Sequence, residues 1–328
     1  MKILLTGATG FLGGRVAALL RESGHDVRAL VRKSSDTRAL AALGAETAEG
    51  ALDSGVGVEA ATRGVDAVVH LAGGGKVRTI AEMYSGNLGT TEHLLRAWDA
   101  SGAAARGARF VLISSLAAHG PSPDGAPRDP DEAPRPCSHY GKSKAAAEAA
   151  VLARAGDFPV TIVRPPGVYG PGDTRMLSLF RAALRGFVPT VGQGHTASFI
   201  FVEDCARAIA LSATVPTPSG RAYFVEDGHI YTQETLMRYI GDAVGTRPRV
   251  VRVPGWCLMG LGALSELWGL VTRRATPINR DKIRDVLRRH WVCESARTRA
   301  ELGWTPTIAL AEGTRLTAEG YRAAGWLR

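Results

Sequence analysis

The chain has 328 residues, of which 45% are hydrophobic and 22% charged, enough for one large core plus a smaller lobe and unlike a disordered chain. Its formal net charge is +9, yet only six of the 40 basic residues are lysine and no block of five like charges occurs, so the patch that nucleic-acid binding requires is not visible. Cys137, Cys205, Cys257 and Cys293 form no CxxC pair and no metal-ligand spacing, which predicts free thiols, no metal site and a reducing cytoplasm.

The chain opens on a short apolar run, 2–5, that leads straight into glycine and is too short for a signal peptide. Strands are predicted at 2–5, 27–31, 67–71, 109–113 and 160–163. Helical patterns fall at 12–21, 87–100 and 143–155. Strands that alternate with helices imply an α/β, Rossmann-type, doubly wound parallel sheet, with ligands bound along the edge formed by the strand C-termini. After Arg164 the turn-rich Pro165-Pro166-Gly167-Val168-Tyr169-Gly170-Pro171-Gly172-Asp173 breaks this rhythm. A helix at 176–184 and a strand at 198–202 follow. The division expected is a dinucleotide-binding domain over 1–165, with a returning segment at about 196–228, and a smaller substrate lobe over 166–195 and 229–328. The stretch 253–271, with Trp256, Leu258, Met259, Leu261, Leu264, Leu267, Trp268 and Leu270, is the most apolar in the chain. Glu266 argues against a membrane span. We expect a buried or substrate-covering helix, an apolar wall for the pocket, with a helix lying on a membrane surface as the alternative.

Two constellations carry chemistry. The first is Thr6-Gly7-Ala8-Thr9-Gly10-Phe11-Leu12-Gly13, between a strand and a helix. Gly7 suits a turn that needs positive φ. Gly10 lets a pyrophosphate approach the backbone, Gly13 allows close packing, and the helix N-terminus offers free N–H groups to phosphate. At the end of the second strand, a carboxylate would hold ribose hydroxyls and favour NAD. Val31 and Arg32 stand there instead, and Arg32 favours the extra phosphate of NADP, with NAD as the alternative.

The second constellation is Ser115 with Tyr140-Gly141-Lys142-Ser143-Lys144. Tyr140 and Lys144, four apart, share one helix face. A free phenol titrates near ~10, and a neighbouring ammonium and an oxidised nicotinamide are expected to lower it, making Tyr140 an acid–base group. Ser115 would hold the substrate oxygen beside it.

Together these segments resemble an extended short-chain dehydrogenase/reductase of the NAD-dependent epimerase/dehydratase group, nearest to its sterol-dehydrogenase-like and dihydroflavonol-reductase-like members. The resemblance spans nearly the whole chain. It rests also on Phe110-Val111-Leu112-Ile113-Ser114-Ser115-Leu116-Ala117-Ala118-His119-Gly120, His70-Leu71-Ala72-Gly73, Asn87-Leu88-Gly89-Thr90 and Arg164 to Asp173. Phe201-Val202-Glu203-Asp204, Pro277 to Lys282, His290-Trp291-Val292-Cys293 and Glu301-Leu302-Gly303-Trp304-Thr305-Pro306 complete it. It implies that Ser115, Tyr140 and Lys144 are catalytic. The cofactor residues it implies are Thr6, Gly7, Gly10, Phe11, Leu12, Gly13, Arg32, Leu71, Ala72, Gly73, Asn87, Tyr140, Lys144, Pro165, Gly167 and Val168. It also implies a homodimer through the helices at 87–100 and 143–155, the second with the small-residue run Ala145 to Ala150. Two departures stand out. Ala51 replaces an acidic residue that contacts adenine in many members. His119 replaces a common tyrosine, and a histidine there lines a pocket more often than it catalyses.

The complete Ser-Tyr-Lys set argues against a non-catalytic dinucleotide sensor. Ala197, where nucleotide-sugar enzymes carry an arginine, and Gly167, where they often carry asparagine, argue against a sugar diphosphate, although Arg175 or Arg181 could compensate. The sequence therefore points to reduction of a ketone, or oxidation of the alcohol, on a lipophilic small molecule, with a nucleotide-sugar epimerase or dehydratase as the alternative.

Overall fold

Alternating apolar side chains build the central sheet. In β1 (Lys2–Thr6), Ile3 and Leu5 enter one core, and Leu4 enters the core on the opposite face, as a period of two requires. The computed structural model describes residues 1–73, 77–272 and 279–327, with the side chains of Leu270 and Val271 left out. After β1 come α1 (Phe11–Glu22), β2 (Asp26–Val31), β3 (Glu46–Glu49), β4 (Ala67–His70), β5 (Arg109–Ile113) and β6 (Val160–Arg164). A seventh strand, Arg221–Phe224, pairs with β6. All neighbours are parallel, in the order seventh strand, β6, β5, β4, β1, β2, β3. The order reverses between β1 and β4, so the crevice outside their carboxyl ends is where such a sheet binds ligands.

One face of the sheet is covered by α1 and the helix Val202–Thr214, through Val16, Leu20, Cys205 and Ile209. The other is covered by the helices Thr90–Ala100 and His139–Leu152, through Leu94, Trp98 and Val151. The fully buried Trp98 sets its edge against Phe110 at 5.8 Å.

A third core gathers the helices Leu177–Leu184, Gln233–Val244 and Leu310–Ala323 around Phe180, Ile240 and Tyr321. Two sequence hallmarks serve as its clamps. Backbone N–H groups of Arg175 and Met176 donate to the Asp173 carboxylate at 3.0 and 3.1 Å. The Asp204 carboxylate accepts from the N–H groups of Thr307 and Ile308, each at 2.9 Å, while Trp304 Nε1 donates to the Asp204 carbonyl at 3.0 Å. The Asp173 bonds fix the local turn, and the Asp204 bonds fasten the C-terminal segment to the helix Val202–Thr214.

Several expectations are corrected. The strand expected at 198–202 is Phe199–Phe201, and Val202 opens a helix whose first turn holds Glu203 and Asp204. Acidic side chains there complement the helix dipole. The helix expected at 143–155 runs His139–Leu152, and the one expected at 87–100 starts as a π-helical turn, Ser85–Gly89. The run 253–271 forms the helix Gly255–Thr272. It is not a core helix, since Trp256, Leu261, Leu264, Leu267 and Trp268 are exposed. Its neighbours Arg273, Arg274, Pro277 and Ile278 lie outside the described residues. No helix among the described residues is long and apolar enough to cross a membrane.

Candidate active site

The glycine turn after β1 is built as tightly as its spacing demands. Gly7 has φ +73°, and a Cβ there would lie 2.9 Å from the Ala72 nitrogen. A Cβ on Gly13 would come within 2.1 Å of the Gly7 carbonyl oxygen. Larger residues at either position would push apart β1, α1 and the 71–73 turn. No acidic residue occupies the first turn of α1, and no side chain caps it. Its N–H groups and partial positive charge are thus available to an anion. Phe11 and Leu12 begin this helix, and Phe11 faces Gly172.

Behind the turn runs a buried polar chain. Thr6 Oγ1 accepts from the Ala72 N–H at 3.1 Å and so donates to His70 Nδ1 at 2.8 Å. His70 Nε2–H then donates to Thr91 Oγ1 at 3.2 Å, and Thr91 donates to the Asn87 carbonyl at 2.7 Å. This order assigns the tautomer of a neutral ring. Burial, with the Lys144 charge adding to it, holds the His70 pKa down to about 3. Asn87 Nδ2 donates to Ser143 Oγ at 2.8 Å, and Ser143 Oγ donates to the Tyr140 carbonyl at 2.8 Å.

Asn87 Oδ1 is buried with no partner. A Cβ on Gly73 would lie 2.7 Å from that oxygen and 3.3 Å from Lys144 Nζ. A bare glycine facing an unpaired acceptor and an ammonium makes a cradle suited to a hydroxylated group such as a cofactor ribose. With the open end of α1, these residues fit a dinucleotide. Arg32 is exposed after β2. Its own N–H bonds Ser35 Oγ at 3.1 Å, and its guanidinium makes no ion pair among the described residues.

Ser115 caps the short helix Leu116–His119. Its Oγ accepts from the Ala117 N–H at 3.1 Å, so its own proton is free to point elsewhere. Ser115 and Tyr140 line one cavity of about 290 Å³. Gly141 makes this approach feasible, because a Cβ there would sit 2.3 Å from the Ala117 carbonyl oxygen. Nothing in the sequence spacing flags that contact.

Burial raises the Tyr140 pKa, against the opposing pull of the Arg175 charge and the Ser115 hydroxyl. The lowered value expected for the phenol belongs to a site holding an oxidised nicotinamide; from the protein's own groups, desolvation outweighs the nearby charges. Lys144 Nζ donates to the Ile113 carbonyl at 2.9 Å. Burial lowers its pKa to about 8, with Glu148 resisting. Glu148 is itself held in a buried ion pair with Arg164 at 2.7 Å.

The rest of the cavity lining is mostly apolar: Leu116, Ala117, Pro166, Gly167, Ala197, Phe199 and Trp291, with Ser198 and Asp285 as polar exceptions. A Cβ on Gly167 would meet the Phe199 ring at 2.8 Å, so the ring occupies the space a larger residue would need. Val168 follows on the short strand Gly167–Tyr169. The Pro165 carbonyl receives the Leu116 N–H at 2.8 Å, which ties that turn to Ser115. Arg181 is committed to the Trp326 carbonyl at 3.2 Å. His119 does not line the cavity. It is fully buried, accepts from Arg164 Nη1 at 3.2 Å, and has its pKa pushed down to about 3 by burial and then by Arg164 and Arg128. None of the described side chains of the helix Gly255–Thr272 lines the cavity, and its apolar lining among the described residues comes from elsewhere.

Sequence reasoning missed two carboxylates on the short helix Arg280–Val286. Asp281 accepts from the N–H groups of His139 at 2.8 Å and Tyr140 at 3.3 Å, satisfying donors that the tyrosine helix leaves free at its start. Asp285 reaches the cavity and accepts from the Cys137 thiol at 3.2 Å. Burial raises its pKa.

Residues 3–225 match the model of the NAD dependent epimerase/dehydratase family. The chain belongs to that family. It is accordingly an NAD(P)-dependent oxidoreductase of the short-chain dehydrogenase/reductase type. Among its relatives is a protein named ceramide reductase from Caulobacter vibrioides, 35% identical over 99% of this chain and 96% of that one. Sterol demethylase protein B of Methylococcus capsulatus is 31% identical over 95% of both chains. The solved structure of MoeE5 with UDP-glucose and NAD superposes with a TM-score of 0.77 at 27% identity, covering 99% of each chain.

Proposed function

We propose that this enzyme reduces the ketone of a lipophilic small molecule, or oxidises the corresponding alcohol, using NADPH and a Ser115-Tyr140-Lys144 set. The observation that carries this reading is the cavity beside Ser115 and Tyr140, whose walls are mostly apolar and, among the described residues, hold no cationic side chain. A sugar diphosphate needs cationic donors in such a place. Ala197 and the Gly167–Phe199 contact stand where they would be. The names of the ceramide and sterol relatives agree with a lipophilic substrate.

Residues 1–165 and 196–228 form the cofactor-binding part in this reading, and 166–195 and 229–328 the substrate lobe. The Gly7–Gly13 turn and the start of α1 would hold the pyrophosphate. Leu71, Ala72, Gly73, Asn87 and Lys144 would hold the nicotinamide ribose, with Pro165, Gly167 and Val168 beside the ring. Arg32 would take the additional phosphate of NADP. When bound, the reduced cofactor supplies a hydride for the carbonyl carbon. The Ser115 hydroxyl donates a hydrogen bond to the carbonyl oxygen and fixes its position. Tyr140 Oη, kept protonated by its raised pKa, gives its proton to that oxygen as negative charge develops. The Lys144 ammonium stabilises the tyrosinate left behind. The reverse sequence oxidises the alcohol. Tyr140→Phe is expected to abolish turnover while NADPH affinity, read by fluorescence titration, stays within about threefold. Undiminished turnover in that variant would refute the assignment.

One observation favours a second reading. The Arg175 charge reaches Tyr140, and MoeE5 carries UDP-glucose. Tight binding of UDP-glucose in a titration would select the nucleotide-sugar reaction. We also place the enzyme in the cytoplasm, where its four free thiols stay reduced. It pairs there as a homodimer through the helices Thr90–Ala100 and His139–Leu152, and a monomer in sedimentation velocity would contradict that.

A further inference from the structure

The helix Gly255–Thr272 carries an apolar face that neither the core nor the cavity uses. Trp256, Leu261, Leu264, Leu267 and Trp268 lie within one side of the helix and are 77%, 58%, 66%, 58% and 68% exposed. The opposite side is the attached one. Gly262 packs on Ile283, and Glu266 pairs with Arg280 at 2.7 Å. The preceding strand Arg249–Val253 also exposes apolar side chains, Val250 and Val251. Phe187, at the register position of Arg249 on the partner strand, is exposed as well.

The charge of the same stretch identifies what covers this face. Residues 247–289 hold ten Lys and Arg against three Asp and Glu, and so supply seven of the chain's net charge of +9. A second copy would bring the same positive field against it. An anionic lipid surface offers the opposite charge together with an apolar layer at the depth of a helix lying flat.

We propose that this face docks on an anionic membrane, with the helix Gly255–Thr272 lying in the headgroup layer and its flanking arginines on lipid phosphates. The helix packs on Arg280–Val286, whose Asp285 lines the cavity beside Tyr140. Docking would therefore bring the cavity next to the layer where a lipophilic ketone resides. That last step rests on the proposed reaction, and docking itself does not.

The test is cosedimentation of the whole protein with vesicles of phosphatidylcholine alone and of phosphatidylcholine mixed with phosphatidylglycerol. Binding to the anionic vesicles is expected to exceed binding to neutral ones by about tenfold or more, and to weaken as salt rises. A triple variant, Trp256→Ser, Leu264→Ser and Trp268→Ser, is expected to lose this binding by about tenfold or more. Its NADPH affinity and sedimentation coefficient should not change. Arg249→Glu with Arg252→Glu should weaken binding without touching the apolar side chains. Docking is overturned if the wild type does not pellet with anionic vesicles, or if the triple variant pellets equally well. It is also overturned if the triple variant turns a dimer into a monomer, which would make a second copy the occupant. Vesicle binding is read without substrate, so a failure to reduce any ketone would remove the proposed reaction and leave docking intact.

Discussion

Replacing Lys144 by methionine separates what this residue does for stability from what it does for turnover. Burial takes the Lys144 pKa from 10.5 to about 8. At about 1.4 kcal/mol per pH unit, keeping the ammonium buried at neutral pH costs the folded state about 3 kcal/mol. Methionine fills a similar volume and carries no charge, but it gives up the bond to the Ile113 carbonyl, worth about 1 kcal/mol and more if that oxygen stays dry. The cofactor-free variant should therefore be more stable than the parent by roughly 1–2 kcal/mol at pH 7. The folded-state pKa lies below the unfolded one, so between pH 8 and 10.5 the unfolded chain binds more protons than the folded one. Parent stability consequently rises across that window relative to the variant, and the variant's advantage should vanish by about pH 10. Urea unfolding of both proteins at pH 7 and pH 10 measures this, while turnover should fall by about a hundredfold or more at either pH. A variant that is less stable at pH 7, by an amount independent of pH, would refute the reasoning.

Three further outcomes follow from particular contacts. Arg32→Ala should weaken NADPH binding by about tenfold, the worth of one charge-assisted bond, and leave NADH binding unchanged. Equal loss for both cofactors in a fluorescence titration would assign Arg32 to the adenine side instead. Gly141→Ala places a methyl 2.3 Å from the Ala117 carbonyl oxygen, and should lower both the melting temperature and kcat by moving the tyrosine helix off Ser115. An unchanged kcat would show that the two residues need not be held so closely. Asp281→Ala frees two N–H donors at the start of that helix and should cost about 1–2 kcal/mol in urea unfolding. It should lower kcat several-fold while the cofactor KM stays fixed, and rescue by Asp281→Glu would assign the effect to positioning.

The parts of the fold that the sequence made legible are those whose burial leaves a periodic or continuous apolar trace. All four residues of β4 are buried, and the run reads as a strand without help. β3, with the sequence Glu-Thr-Ala-Glu, is an edge strand with mostly exposed side chains, so it carries no apolar signal. The seventh strand is short and opens on an arginine. Tyr140 and Lys144 fall on one helix by their spacing, and Ser115 follows directly on β5, so their placement was legible from local sequence. Gly141 was not, because the Ala117 oxygen it makes room for is brought there by tertiary packing. Asp281 and Asp285 lie 142 and 148 residues from the partners they hold, His139 and Cys137. The helix Gly255–Thr272 shows the opposite limit. Its composition announced an apolar wall, but composition does not say on which side of the protein that wall will stand.

Those two carboxylates also change how the site is divided. Asp281 and Asp285 are four apart on one helix, so they project from the same face. Asp281 holds the backbone at the start of the tyrosine helix, while Asp285 borders the cavity. The segment that borders the cavity therefore also sets the helix bearing Tyr140. A shift of Arg280–Val286 on substrate entry would be transmitted directly to the N–H groups of His139 and Tyr140 and change the phenol's approach to the bound carbonyl. Trp291, which also lines the cavity, donates its Nε1–H to the Asp285 carbonyl at 2.8 Å, whereas Phe199 lines it from the strand Phe199–Phe201. Changes at Phe199 should alter which substrate is accepted and leave proton delivery intact, whereas changes at Asp281 should do the reverse.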